Sequence, residues 1–144
     1  MSTISGPARK LPWHLWVVTV LALLWNGAGA YTIMMAQAGK LYDLEPGEAA
    51  YYDAQPLWFV VLTDIALAAA VAAAATLLLR SKISAWLFAL SLSAILVTNA
   101  YELAAGTSRM LVTRGALVVT IIIVLIAAFE LGYAWAMTRR SISS

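Results

Sequence analysis

The sequence contains no cysteine and only one histidine, and charged residues make up 11% of its 144 residues. Without cysteine the chain can form no disulfide, no thiolate metal site and no iron–sulfur cluster bound by its own thiols. The single histidine, His14, leaves no second imidazole for a bis-histidine haem within the chain. We therefore predict neither a metal site nor a cofactor.

The sequence also lacks the short motifs of common enzymes. It has no Gly-x-Ser-x-Gly elbow, no His-Glu-x-x-His, no phosphate-binding loop and no dinucleotide glycine fingerprint. Its nine Lys and Arg residues, against seven Asp and Glu, stand in pairs between apolar runs and form no one-sided basic cluster of the kind that binds nucleic acid. These absences predict a protein that is not an enzyme and has no nucleic-acid partner.

Long apolar runs dominate the chain, in which 63% of the residues are hydrophobic. A soluble domain of this size cannot bury so much apolar surface. Four runs have about the 20 residues that a membrane-spanning helix needs, and none shows the alternation of a membrane β-strand. They cover roughly residues 13–38, 57–79, 83–103 and 110–137. The sequence thus predicts an all-α fold, an integral membrane four-helix bundle that forms one domain over residues 1–144.

Basic residues near the ends of the spans predict its orientation, because cytoplasmic loops of membrane proteins carry an excess of Lys and Arg. Six fall on one side, namely Arg9, Lys10, Arg80, Lys82, Arg139 and Arg140, and three on the other, namely Lys40, Arg109 and Arg114. Both termini are therefore expected in the cytoplasm. In the first outer loop, residues 45–52 have Pro46 in the first turn and acids nearby, which predicts a short helix at the membrane interface.

Polar side chains inside the spans are the candidates for function, because hydrocarbon penalises a polar group that is neither paired nor solvated. Asn26 and Asp64 are predicted at similar depth. Each shares a helix face with small residues, Thr19, Ala22 and Gly29 in the first case and Ala68, Ala72 and Ala75 in the second. Two small faces allow helices to approach closely. We therefore expect either a structural hydrogen bond between Asn26 and Asp64 or a proton or solute site at Asp64.

Glu130 lies in the inner half of the fourth span, where no basic residue is available at its depth. Its candidate partners are Ser91, Ser93 and Thr19. Structural hydrogen bonding, proton relay and contact with another subunit remain alternatives for this carboxyl.

Asn99 and Glu102 are three residues apart on one face of the third span, close to the outer surface. For Glu102 the favoured interpretation is an interfacial carboxylate near Arg109.

The segment Leu24–Tyr31, which contains Trp25, Asn26 and Gly27, resembles a family of small four-span bacterial membrane proteins. The resemblance continues in residues 44–58 and through the hairpin at Arg80, and it covers most of the first three spans. Many members have an aspartate soon after the Trp-Asn-Gly motif, where this chain has Thr32 and Ile33. The family often carries the automatic label "sugar transporter". The resemblance implies a four-span architecture in the bacterial inner membrane and singles out Trp25, Asn26 and Gly27 as a motif.

Two functions follow as hypotheses. The favoured one is an accessory or assembly subunit that packs, within the lipid bilayer, with other membrane subunits or as a homo-oligomer. The alternative is a transporter of a small solute, proton-linked through Asp64 or Glu130. Because four helices are few for a complete pathway, such a transporter is expected to act as an oligomer.

Overall fold

The computed structural model describes residues 12–41, 46–79, 81–106 and 114–140, with the backbone alone for residues 114–116 and 140. Within these ranges the chain forms five helices and no strand. The helices are α1 (Trp13–Gln37), α2 (Pro46–Asp53), α3 (Leu57–Leu77), α4 (Lys82–Ala105) and α5 (Arg114–Arg140). The predicted all-α helical bundle is thus confirmed.

Four of the described helices are long and apolar enough to cross a membrane. The qualifying segments are Trp13–Gln37, Leu57–Leu77, Lys82–Ala105 and Leu117–Arg139. Many of their large apolar side chains lie exposed on the outside of the bundle, which suggests a multi-pass membrane protein. The predicted start of the fourth span at Met110 lies outside the described residues, as do Arg9, Lys10, Arg80 and Arg109 of the charge pattern.

The helices end where the sequence offers turn and cap residues. After α1, Gly39 adopts a left-handed conformation with a φ of 64°. Its N–H donates to the carbonyl of Ala36 at 3.0 Å, and the N–H of Lys40 donates to that of Met35 at 2.9 Å. This is the Schellman arrangement, which satisfies carbonyls that the helix end would leave unpaired. At the start of α4, the hydroxyl of Ser81 accepts a hydrogen bond from the N–H of Ile83 at 3.3 Å.

The long helices pack in chain order, α1 against α3, α3 against α4 and α4 against α5, with the most extensive packing between α3 and α4. Successive long helices run in opposite directions, and only four residues separate α3 from α4, which makes these two a tight helical hairpin. The α2 end of the bundle contains the C-termini of α1 and α4 and the N-termini of α3 and α5. The other end is called the opposite end. Helices α1 and α5 are not among the closely packed pairs, and the boundary between them is called the seam.

Alanines form the contact face of α3, which buries Ala66, Ala69, Ala70, Ala73 and Ala74. The small side chains let α4 approach closely enough for the Ser84 hydroxyl to donate to the carbonyl of Ala73 at 3.0 Å. The predicted contact face of this helix is wrong: Asp64, Ala68, Ala72 and Ala75 are exposed. Alanine surrounds much of α3, so alanine content did not distinguish the packed side from the outer one. On α1 the predicted face is correct, since Thr19 and Ala22 are buried.

A cluster of buried apolar side chains occupies the half of the bundle next to the opposite end. Its members are Leu15, Ala22, Ala73, Ala74, Leu77, Ala85, Phe88, Ala134 and Met137. Phe88 is the largest of the fully buried side chains described. We call this region the packed half. Its buried side chains fill the interior of the bundle on that side.

Candidate functional site

The central polar contact of the bundle joins Asn26 of α1 to Glu130 of α5 across the seam. The Asn26 amide donates to Oε1 of Glu130 at 2.9 Å and also to the carbonyl of Ala22, one turn earlier, at 2.9 Å. Glu130 is only 5% exposed. Its second oxygen, Oε2, has no hydrogen-bond partner among the described residues. A buried carboxyl with one neutral partner therefore retains free acceptor capacity.

A cavity of about 360 Å³ lies beside this pair and is called the central cavity. All four long helices line it, mainly with apolar side chains such as Leu67, Ile95 and Ile123. Its polar lining residues are Asn26, Thr32, Ser91 and Glu130. On each helix, the lining residues lie nearer the α2 end than the residues of the packed half do. The volume falls within the range of about 300–1,000 Å³ that small-molecule sites occupy.

Ser91 of α4 contributes a second buried polar group to the central cavity. It is 2% exposed, and its hydroxyl has no hydrogen-bond partner among the described residues. Serines inside helices commonly donate to the carbonyl four residues earlier, as Ser93 does to Ala89 at 2.8 Å. Because Ser91 makes no such bond, its hydroxyl is available to a molecule in the cavity.

The central cavity opens at the seam. Its lining residues on α3 and α4 are buried or half-buried, whereas Trp25 and Thr32 of α1 and Val119 of α5 are exposed. A second cavity of about 260 Å³, called the side groove, lies between α1 and α5 alone and is lined by residues that include Leu21, Trp25, Phe129 and Glu130. Trp25 and Glu130 therefore border both spaces, and the path between them lies along the seam.

Nearer the opposite end, a second hydrogen bond crosses the seam. Nδ1 of His14 and the hydroxyl of Tyr133 are 2.7 Å apart. The two rings meet edge to face, with centroids 6.1 Å apart. No local sequence pattern predicts this contact, because the two residues are 119 positions apart. Side-chain hydrogen bonds therefore link α1 to α5 at two heights.

The predicted contact between Asp64 and Asn26 is not present in the structure. Asp64 is exposed on the outer surface of α3 and makes no hydrogen bond to any part of the chain that the structure describes. Asn26 pairs with Glu130 instead. Of the predicted partners of Glu130, Ser91 lines the same cavity, Ser93 is exposed, and Thr19 is buried with a hydroxyl that has no partner among the described residues.

The remaining predicted polar residues lie apart from the central cavity, toward the α2 end. The Asn99 amide donates to the carbonyl of Ile95 in its own helix at 2.7 Å. Glu102 accepts a hydrogen bond from the hydroxyl of Tyr51, which fastens α2 to the end of α4. Beside it, burial raises the pKa of the Tyr52 phenol above its usual 10.0, and the nearby Glu48 raises it further. These contacts have a structural role.

Two residues of the Trp-Asn-Gly motif, Trp25 and Asn26, line the central cavity, whereas Gly27 is half-buried and does not. Among the residues that the structure describes, no group of three or more His, Asp or Glu side chains is placed to hold a metal ion. The arrangement can bind a small molecule through hydrogen bonds and apolar contact, and its carboxyl can exchange a proton.

Comparison with protein-family models, with curated proteins and with solved structures gives no match.

Proposed function

We propose that the protein is a small-solute transporter, proton-linked through Glu130. The observation that carries the proposal is the position of Glu130, which lines the central cavity on the side that faces the packed half. A buried ionisable group at this depth of a membrane helix is expensive unless it is functional or paired. Among the residues that the structure describes, its one hydrogen-bond partner is the neutral amide of Asn26.

One-sided access supports transport over simple structural pairing. A solute in the central cavity reaches Glu130 and Asn26, and the packed half blocks its exit toward the opposite end. Alternate exposure of such a site requires helices to separate in the packed half. We expect this separation at the seam, because α1 and α5 do not pack closely there. In the packed half, the described side-chain hydrogen bond that would have to break is the one between His14 and Tyr133.

The orientation of the protein in the membrane is part of the same proposal. Lys82 and Arg139 lie at the opposite end, and the guanidinium of Arg139 is 5.2 Å from the ring centroid of Trp135. The α2 end has Lys40 and Arg114 together with the acids Glu48, Asp53 and Glu102. Over the whole sequence, six Lys and Arg residues fall on the side of the opposite end and three on the side of the α2 end, and this excess supports a cytoplasmic location for the opposite end, with both termini, in a bacterial inner membrane. The short helix α2 then lies at the outer interface, and the central cavity lies in the outer half of the bilayer.

The test uses the full chain in proteoliposomes on a solid-supported membrane. Currents are recorded under an inward proton gradient with glucose, alanine and dansylcadaverine as three probes of different chemistry. We expect a saturable current with at least one probe and its loss, by at least about tenfold, in Glu130→Gln, which keeps the shape of the side chain but removes its titration.

The control is Asp53→Asn, which removes an exposed carboxylate of α2 from outside the cavity and outside the apolar spans, and which is expected to leave the current unchanged. Absence of a Glu130-dependent current with all three probes overturns the proposal. Equal loss in the two variants overturns it too.

A second candidate function, an accessory or assembly subunit, is favoured by a different observation. Asp64 lies exposed within an apolar span and makes no hydrogen bond to the described residues. A carboxylate facing hydrocarbon is costly, and a polar group of a neighbouring copy or subunit removes that cost. This candidate assigns Asp64 to a helix–helix contact between chains.

If Asp64 holds chains together, Asp64→Leu weakens association by at least about tenfold, or about 1.4 kcal/mol. Native mass spectrometry after mild extraction reports the fraction of assembled protein. Asp53→Leu is the matched control, because Asp53 is exposed on α2, outside the apolar spans. If the wild-type protein is already monomeric in this measurement, the function as an accessory or assembly subunit is ruled out.

A further inference from the structure

We infer that the central cavity binds an amphipathic amine, with its ammonium group on Glu130 and its apolar body along the cavity wall. The inference rests on the proposed function and names the class of solute. It draws on three features: the free oxygen of Glu130, the free hydroxyl of Ser91, and the opening of the cavity at the seam.

The polar end of the cavity suits a cationic head group. Oε2 of Glu130 has no partner within the described chain, and the only donor to Oε1 is the neutral amide of Asn26. No described Lys or Arg side chain pairs with this carboxylate. An ammonium group supplies both the missing charge and up to three donors. The Ser91 hydroxyl, buried and without a partner, accepts one of those donors.

The remainder of the cavity suits an apolar body. Leu67, Ile95 and Val119 line it together with alanines and other apolar residues. Trp25 borders the opening and offers an aromatic face, which attracts cations as well as apolar groups. A hydrophilic solute such as a free sugar leaves most of its hydroxyls without partners on such a wall.

The route of entry follows from the position of the opening. The exposed lining residues belong to α1 and α5, so the cavity opens sideways along the apolar flank of the bundle. The side groove continues the same seam as far as Glu130. An amphipathic amine partitions into a bilayer and reaches this opening from the lipid phase, whereas a small hydrophilic amine does not accumulate there.

Binding is measured in nanodiscs by energy transfer from tryptophan to a dansyl probe, separately from any transport. Dansylcadaverine has an aromatic body and a primary amine, and N-pentyl dansylamide is the same molecule without the amine. We expect saturable dansylcadaverine binding that weakens at least about tenfold in Glu130→Gln. Ser91→Ala weakens it about threefold or more, and Ser93→Ala, its exposed counterpart on the same helix, leaves it unchanged.

Two further measurements decide the class of ligand. Binding of N-pentyl dansylamide is expected to show no dependence on Glu130, and methylamine is expected not to compete with dansylcadaverine. Equal effects of Glu130→Gln on both dansyl probes overturn the cationic head group. Competition by methylamine at low concentration overturns the apolar body. A proton-linked current driven by glucose, with no binding of dansylcadaverine, overturns this inference and leaves the proposed function standing.

Discussion

Replacing Phe88 by alanine is expected to lower the free energy of unfolding by about 3 kcal/mol, at the lower end of the range for buried phenylalanine. Phe88 is 2% exposed and packs in the core of the packed half. In a lipid environment an unpacked apolar side chain meets acyl chains rather than water, so the cost comes mainly from the lost packing contacts and the cavity left behind.

Steric trapping in bicelles measures this free energy. The control is Phe129→Ala, the same substitution at a side chain that is 61% exposed and stacks only on Tyr133 among the described rings, for which we expect a loss of about 1 kcal/mol or less. Equal destabilisation by the two variants contradicts the position of Phe88 in the core.

Phe88→Ala also tests whether the packed half blocks the passage of protons. With the Phe88 ring removed, we expect the central cavity to extend into the packed half and the proton leak across proteoliposome membranes to rise.

Asn26→Leu is expected to lower the free energy of unfolding by about 1–3 kcal/mol, because it removes the donor to a buried carboxyl and leaves that carboxyl unpaired. Leucine keeps the branched shape of the asparagine side chain but is larger, so the control must carry the same increase in volume. Asn99→Leu is the matched control. The Asn99 amide bonds only to a carbonyl of its own helix, and its loss is expected to cost about 0.5 kcal/mol or less.

A double-mutant cycle isolates the contact across the seam. Glu130→Met removes the acceptor, and the coupling free energy between Asn26→Leu and Glu130→Met is expected to be about 1 kcal/mol. Additive effects of the two substitutions contradict the hydrogen bond between α1 and α5. A coupling free energy different from zero indicates that the Asn26–Glu130 hydrogen bond stabilises the contact between α1 and α5. A ligand that competes with Asn26 for Glu130 is then expected to weaken that contact.

The elements of this fold were largely predictable from the sequence, because helix length and apolar composition are local properties. The predicted spans begin or end within a few residues of α1, α3 and α4. The inward face of α1 was also predictable, since Thr19, Ala22 and Asn26 alternate with large apolar residues on its outer side. On α3, alanine at nearly every position of residues 68–75 removed that contrast, and Asp64 was assigned to the wrong face.

The candidate site was predictable only in part. Depth and polarity singled out Asn26 and Glu130, but which carboxyl Asn26 meets depends on the rotation of α3 and α5 about their axes. The central cavity depends on unfilled volume among side chains of four helices, and no local pattern reports that volume. The place of Ser91 in the lining of the cavity, and the absence of a hydrogen bond from its hydroxyl to the described residues, become visible only in the structure.

The seam lies between the first and last long helices, whereas close packing among the described long helices is between consecutive ones. During synthesis α1, α3 and α4 can therefore assemble as they emerge, yet Asn26 has no carboxyl to bond until α5 has been inserted. Completion of translation is thus the step that creates the site. A chain that stops before α5 lacks Glu130 and the α5 side of the central cavity, so it cannot form the polar contact across the seam.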